Sequence, residues 1–115
     1  MLKRTKPMKR VNAARKRKAF IEDFGGKEYL EVIHSMPCAV CDAPCEWTEA
    51  AHLTSRGAGG KADVIVPLCG SRFGELGCHA KYDLRDSELR DHEPRLRRLA
   101  KRLWSAWLER VEGAA

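Results

Sequence analysis

Four cysteines in the middle of the chain have the residue type and the spacing of a zinc site. They are Cys38, Cys41, Cys69 and Cys78. The two-residue spacer between Cys38 and Cys41 lets both thiolates reach one tetrahedral ion from a tight turn. Four thiolates complete the coordination sphere, so a zinc ion held by them would be structural and not catalytic. The second pair is spaced more widely, and the eight residues 70–77 have to loop out.

The cysteines also allow other interpretations. A CxxC pair can act in redox chemistry, but that use favours a motif at the start of a helix, and Asp42-Ala43-Pro44 follows Cys41 here. Cys45 is the fifth cysteine and could replace one of the four. A further alternative, ranked below these, places His79 in the zinc sphere instead of a cysteine.

Two histidines and an aspartate near the cysteines could support hydrolysis. His52 is predicted on a strand, and His79 at the start of a helix that carries Asp83 one turn later. An imidazole can take a proton from water near neutral pH. A divalent cation held by an imidazole and a carboxylate can polarise a phosphate and stabilise the leaving oxygen. Together these groups suit phosphodiester hydrolysis, although a lone histidine is more often structural.

The elements predicted around these residues form a strand, a turn, a second strand and a helix. Hydrophobic patterning predicts strands over 47–53 and 64–68, with a turn rich in Gly and Ser over 54–62 between them. A helix is predicted over 79–89. This order would bring the two histidines together.

Helices are predicted on both sides of this unit. Asn12 could cap a helix that ends at Gly25-Gly26, and a short helix follows over 27–35. Pro94 suits the first turn of a last helix over 94–112. The apolar residues of this last helix recur at helical spacing, which indicates a face packed on the core. They are Leu96, Leu99, Leu103, Trp107 and Val111, and Trp104 and Leu108 widen the stripe enough for a dimer contact.

Composition indicates one small domain with a polyanionic partner. The chain has 115 residues and a net charge of +6, so its core is modest and a structural metal would add stability. Residues 1–18 hold nine Lys or Arg and no acid, which predicts a disordered basic arm that contacts nucleic acid or merely aids solubility. Residues 19–115 are predicted to form one domain with its core at 36–86.

The sequence shows neither a long apolar segment nor a signal sequence, and we expect a cytoplasmic protein without membrane contact. In that compartment, cysteines serve as metal ligands or free thiols more often than as disulfides. The expected oligomeric state is a monomer or a homodimer.

Five short motifs, taken in order, resemble those of the HNH (ββα-metal) endonucleases. They are Cys38-x-x-Cys41, Glu49-Ala-Ala-His52-Leu, Ser55-Arg-Gly-Ala-Gly-Gly60, Val66-Pro-Leu-Cys69 and Cys78-His79. The sequence is most similar to small phage and prophage members, including recombination-enhancement, RecA-dependent nucleases, over about residues 36–86. The resemblance implies an α+β fold with a small zinc-stabilised ββα-metal core and flanking N- and C-terminal helices.

The resemblance also implies a DNA endonuclease of a bacterial host and a role for each candidate. His52 matches the general base, and His79 matches a metal-binding histidine at the start of the family's helix. Asp83 falls where many members carry the last ligand of the catalytic cation, which would be Mg²⁺, Mn²⁺ or Ni²⁺. The cysteines match the branch of the family that binds structural zinc.

Two positions depart from the family pattern besides the wide cysteine spacing. Many members place a metal-binding residue immediately before the base, but this chain has Ala51 there, so Glu49 is the candidate replacement. Val64 occupies roughly the place of the family's asparagine, and Asp63 beside it could take over the orienting role.

Basic residues are candidates for contact with DNA phosphates, although each could equally be a solvated charge. They are Arg56 and Lys61 in the turn and Arg15, Lys16, Arg17 and Lys18 in the arm. The expected partner is DNA, and a recombinase that presents the DNA is a further candidate. The alternative function is a non-catalytic zinc-binding module for nucleic acid, in which His52 and His79 are structural.

Overall fold

Helices surround one two-stranded sheet in the part of the chain that this computed structural model describes, residues 9–114. The elements are α1 (Lys9–Phe24), α2 (Lys27–His34), β1 (Thr48–His52), β2 (Ile65–Cys69), α3 (Cys78–Asp83), α4 (Ser87–Asp91) and α5 (Glu93–Ala114). The predicted mixed α+β class is confirmed. The predicted order of strand, strand and helix between the first and the last cysteine is also present.

The two strands form an antiparallel hairpin that positions the candidate site. His52 pairs with Ile65 at the turn end of the hairpin, and Thr48 pairs with Cys69 at the opposite end. All residues of β2 are buried, while β1 mixes buried and exposed positions. Glu49 is one of the exposed positions, so its carboxylate is free to contact α3.

Two apolar clusters make up the core. The first joins the hairpin and the cysteines to α3, α4 and the start of α5, where Leu96 is fully buried. In the second, Tyr29 of α2 packs edge-on against Trp104 of α5 at a ring distance of 5.0 Å. The apolar stripe of α5 therefore packs on the core as predicted, except near its end, where Leu108 and Val111 are exposed. Within the described chain, no helix has both the length and the apolar character that crossing a membrane requires.

The single helix predicted over 79–89 is wrong, because the chain forms two short helices there. Helix α3 ends at Asp83, and Arg85 has a left-handed backbone with φ of 63°. Asp86 then caps α4 by accepting hydrogen bonds from the backbone N–H groups of Glu88 and Leu89. An aspartate that can bond to nearby N–H groups competes with continuation of a helix and favours a new start.

The structure also differs from the predicted disordered arm in residues 9–18, which belong to α1. Residues 1–8 lie outside the described residues. Alanine, lysine and arginine are good helix formers, and no glycine or proline interrupts Lys9–Phe24. The side chains of Arg15, Lys16, Arg17 and Lys18 are exposed. Since successive residues are 100° apart, these four cover the whole circumference of the helix.

Gly25 fixes the angle at which α1 meets α2. Its φ is 78°, and a Cβ at this position would lie 2.8 Å from side-chain atoms of both Trp104 and Tyr29. Only glycine combines this backbone with so close an approach. The resulting turn holds the end of α1, with Asp23 and Phe24, against the hairpin beside His52.

The segment between the last two cysteines contains a tight hairpin turn with an unusual residue at its tip. Arg72 pairs with Glu75, and the two central residues, Phe73 and Gly74, have φ of 52° and 78°. Positive φ at both central positions is the pattern of a type I′ turn, which favours Asn-Gly. Phe73 is 88 % exposed and touches Trp47 only edge-on, so little packing compensates for its backbone.

We expect Phe73→Asn to stabilise the protein by about 0.5–1 kcal/mol, because asparagine tolerates the left-handed region that a bulky side chain avoids. Thermal and urea unfolding of the full chain would measure the gain. Phe73→Ala is the matched control, since it removes the same ring without the preference for this backbone. Equal stability of the two variants would contradict the assignment of the turn.

Candidate functional site

The four predicted cysteine ligands lie together. One Sγ atom from each of Cys38, Cys41, Cys69 and Cys78 lies within 4.8 Å of all the others, and Cys41 Sγ is 3.6 Å from Cys69 Sγ. Tetrahedral zinc with bonds of about 2.3 Å separates its sulfur ligands by about 3.8 Å. The cluster could therefore bind a metal ion such as zinc. Cys45 is exposed and does not belong to it.

Backbone N–H groups help to hold negative charge on the sulfurs. The N–H of Val40 points at Cys38 Sγ, and the N–H of Cys78 points at Cys69 Sγ. Burial raises the pKa of Cys38, but hydrogen bonds, chiefly from Cys41 and Val40, outweigh it and bring the pKa to about 7. Burial, followed by the charge of Cys38, raises the pKa of Cys78 far above its usual range. Deprotonating Cys78 beside a charged Cys38 is therefore costly without a cation. A bound metal ion would remove this cost, because it stabilises all the thiolates together.

We expect the full-length chain to contain one zinc ion and Cys41→Ser to lose it, because three thiolates leave the coordination sphere open. Elemental analysis would give the zinc content, and thermal unfolding with and without a chelator would show a large loss of stability on metal removal. Cys45→Ser is the matched control and should retain both. A zinc content that depends on Cys45 as strongly as on Cys41 would contradict the ligand set.

His79 lies between two carboxylates. Its Nδ1 is 2.8 Å from Glu49 Oε1, and its Nε2 is 3.6 Å from Asp83 Oδ2. A carboxylate at Nδ1 accepts a hydrogen bond from that nitrogen, which leaves the lone pair of a neutral ring on Nε2. The geometry thus pairs Nε2 with Asp83 as donors for a cation. Glu49, predicted as a ligand, lies at the other ring nitrogen and orients the imidazole.

His52 is held by a residue from outside the hairpin. Its Nε2 lies 2.6 Å from the backbone oxygen of Asp23 at the end of α1. A carbonyl oxygen only accepts, so Nε2 carries the hydrogen and Nδ1 is the basic nitrogen of the neutral ring. The ring of Phe24 packs edge-on against the imidazole at 4.9 Å. Orientation and tautomer of His52 are therefore both defined.

An open cleft of about 310 Å³ brings the predicted residues together. His52, His79 and Asp83 all line it, with Phe24, Ala50, Ser55 and Arg56 completing the walls. The predicted proximity of the two histidines is thus observed. Ala51, which stands before His52, is fully buried and has no donor to offer.

The two basic residues of the turn are bound to an acid that the sequence analysis did not single out. Arg56 Nε and Lys61 Nζ each lie 3.1 Å from a carboxylate oxygen of Asp23. The hydrogen bond from Lys61 lowers the pKa of Asp23, burial opposes this, and Arg56 lowers it further. Two positive charges and one negative charge leave a net charge of +1 beside the cleft.

Asp63, a candidate for the orienting role, forms no hydrogen bond with His52 in the described part of the chain. Its charge acts on Tyr29, whose pKa is raised to about 12 by burial and then by Asp63. The carbonyl of Asp23 instead supports His52. The only sequence signal for Asp23 is its place among the first acids after the basic arm, just before Gly25-Gly26.

We expect Asp23→Asn to lower the melting temperature at pH 7, because two cations lose their shared partner. The pKa of this carboxylate is lower in the folded chain than its ordinary value of 3.8. Its contribution is therefore complete above that value and is lost as the pH falls below it. The difference in melting temperature between parent and variant should shrink from pH 7 towards pH 3. Glu22→Gln, at the exposed neighbouring acid, is the control, and a difference independent of pH would contradict the ion-pair assignment.

The structure thus places an oriented imidazole, a histidine beside a carboxylate, and four cysteines that could bind a metal ion within one small unit. Comparisons of the chain with protein-family models, with curated proteins and with solved structures found no match. The function is therefore argued from the geometry of these residues.

Proposed function

We propose that this protein is a metal-dependent endonuclease that hydrolyses DNA phosphodiester bonds, of the HNH type carried by phages and prophages. One observation carries the proposal. His52, with its basic nitrogen defined, lines the same open cleft as the donor pair of His79 and Asp83. A base for water and a cation for the phosphate are the two groups that this hydrolysis needs.

Each residue has a distinct task in this reaction. His52 Nδ1 takes a proton from the attacking water, and the carbonyl of Asp23 stabilises the imidazolium through Nε2–H. Glu49 holds the ring of His79 so that Nε2 faces Asp83. A divalent cation bound there would polarise the phosphate and stabilise the oxygen that leaves when the P–O bond breaks.

The donor pair suits a small divalent cation. Neighbouring ligands of an octahedral ion with bonds of about 2.1 Å lie about 3 Å apart, close to the 3.6 Å between His79 Nε2 and Asp83 Oδ2. Two protein donors are sufficient, because water and the substrate phosphate commonly fill the other positions of Mg²⁺. The imidazole makes Mn²⁺ and Ni²⁺ good alternatives.

The charge of the chain favours DNA as the substrate. The net charge is +6, and α1, whose last turn contacts His52, carries four consecutive exposed basic side chains near its middle, Arg15 to Lys18. Contacts of this kind bind phosphates without reading sequence, and they weaken steeply with salt. We therefore propose binding along α1 and cleavage at the adjoining cleft.

Nicking of supercoiled plasmid with Mg²⁺, Mn²⁺ or EDTA tests the proposal. We expect cation-dependent nicking by the parent and a loss of about 10²–10⁴-fold in rate for His52→Ala, the range associated with a general base. Asp83→Ala should lose activity and require more cation. His34→Ala is the matched control, because His34 is an exposed histidine at the end of α2.

A second function is a zinc-binding nucleic-acid module without catalysis. One observation favours this alternative. Among the described residues, the cysteine cluster is the only group of three or more side chains that already lie close enough to bind one metal ion. Under this alternative, the zinc-loaded chain shifts DNA on a gel but nicks it with none of the cations. Nicking that His52→Ala retains in full would instead remove His52 from the mechanism.

A further inference from the structure

Arg85 has a backbone that its side chain disfavours. It lies in the turn between α3 and α4 with φ of 63°. Glycine and asparagine adopt this region readily, whereas other residues adopt it at a cost of about 1–2 kcal/mol. The left-handed residue ends α3, because the N–H of Asp86 donates to the carbonyl of Lys81 and the N–H of Arg85 donates to that of Tyr82. Such a helix C-cap usually has glycine at this position, and nothing in the cap requires an exposed arginine side chain.

A second cleft lies beside the first and brings Arg85 next to the candidate site. Its volume is about 290 Å³, and His52, Ser55 and Asp83 form walls of both clefts. The remaining walls of the second cleft are Leu53, Tyr82, Arg85 and Arg90. A group bound here would be a direct neighbour of a phosphate at His52.

The arginines around this cleft differ in whether an acidic side chain already binds them. Arg90 forms an ion pair with Glu93 at 3.1 Å, and Arg56 is paired with Asp23. Arg85 forms no ion pair and no side-chain hydrogen bond with any residue in the described chain. Ser55 Oγ accepts from the N–H of Ala58, so its own hydroxyl hydrogen remains available as a donor.

We propose that Arg85 and Ser55 form a subsite for the DNA phosphate adjacent to the one that is cut. This inference rests on the proposed nuclease function. The contact would fix the path of the DNA strand across the cleft. The arginine fork can donate two parallel hydrogen bonds to one phosphate, and the serine hydroxyl can donate a third. This role differs from that of Arg56 and Lys61, whose charge is shared with Asp23. Because the adjacent phosphate does not react, the contact acts on affinity far more than on the rate of the chemical step.

The test measures DNA binding with the zinc-loaded, full-length chain carrying His52→Ala, so that the probe is not cut. The probe is a fluorescent 20-base-pair duplex, and anisotropy gives Kd at several salt concentrations. Adding Arg85→Asn should raise Kd about tenfold and reduce the salt slope by about one. Arg85→Lys should recover part of the affinity, since it keeps the charge without the fork.

Two controls separate the contact from other effects. Arg98→Ala removes an exposed positive charge of α5 that lines neither cleft, and it should change Kd less than twofold. The melting temperature of Arg85→Asn should equal or exceed that of the parent, because asparagine suits the backbone. If it falls, Arg85→Gly replaces it in the same measurement.

The results distinguish the subsite from the nuclease activity. A change in Kd and salt slope no larger than that of Arg98→Ala overturns the subsite, even if the parent nicks DNA. Absence of nicking by the parent contradicts the proposed function, while the binding comparison still decides whether Arg85 contacts phosphate. In a nicking chain without the His52 change, Arg85→Asn should raise KM about tenfold and change kcat less than threefold. A fall in kcat alone would also overturn the assignment to the adjacent phosphate.

Discussion

The four-cysteine cluster is the constraint on which the rest of the structure depends. Cys69 ends β2 and pairs across the hairpin with Thr48, the residue before Glu49. Cys78 begins α3 and is followed directly by His79. A metal bound to the cysteines would therefore hold His79 through the adjacent Cys78, and Glu49 through the strand pair of Thr48 and Cys69. In a chain with so small a core, this local crosslink can supply rigidity that burial alone would not.

A second constraint acts from the opposite end of the hairpin, where Asp23 serves three groups. Its carboxylate binds Arg56 and Lys61 across the turn, and its carbonyl binds His52. Gly25 allows this arrangement because the chain turns there against Tyr29 and Trp104 without a side chain of its own. The end of a helix thus positions the candidate base, while the candidate cation donors lie on the helix that the cysteine cluster begins.

Local patterns predicted much of this arrangement from the sequence. Cysteine spacing, the short apolar run of β2 and the separation of His79 from Asp83 by one helical turn depend on neighbours in the chain, and each appears in the structure. The break between α3 and α4 was missed because neither glycine nor proline marks it, and the left-handed Arg85 and the cap at Asp86 produce it instead. Asp23 was missed because its partners lie far away in sequence. The resemblance to HNH nucleases stays a prediction, since the comparisons with family models, curated proteins and solved structures found no match.

Because Asp23 contacts His52, residues 36–86 alone do not contain every group that positions the site. The hairpin, the cysteines and α3 all lie within residues 36–86, but the carbonyl that selects the tautomer of His52 does not. Transplanted by itself into another protein, this segment would keep its four-cysteine cluster and lose the group that orients the imidazole of His52. Exchange of such units between genes would therefore have to include α1, or the new host would have to provide an equivalent acceptor.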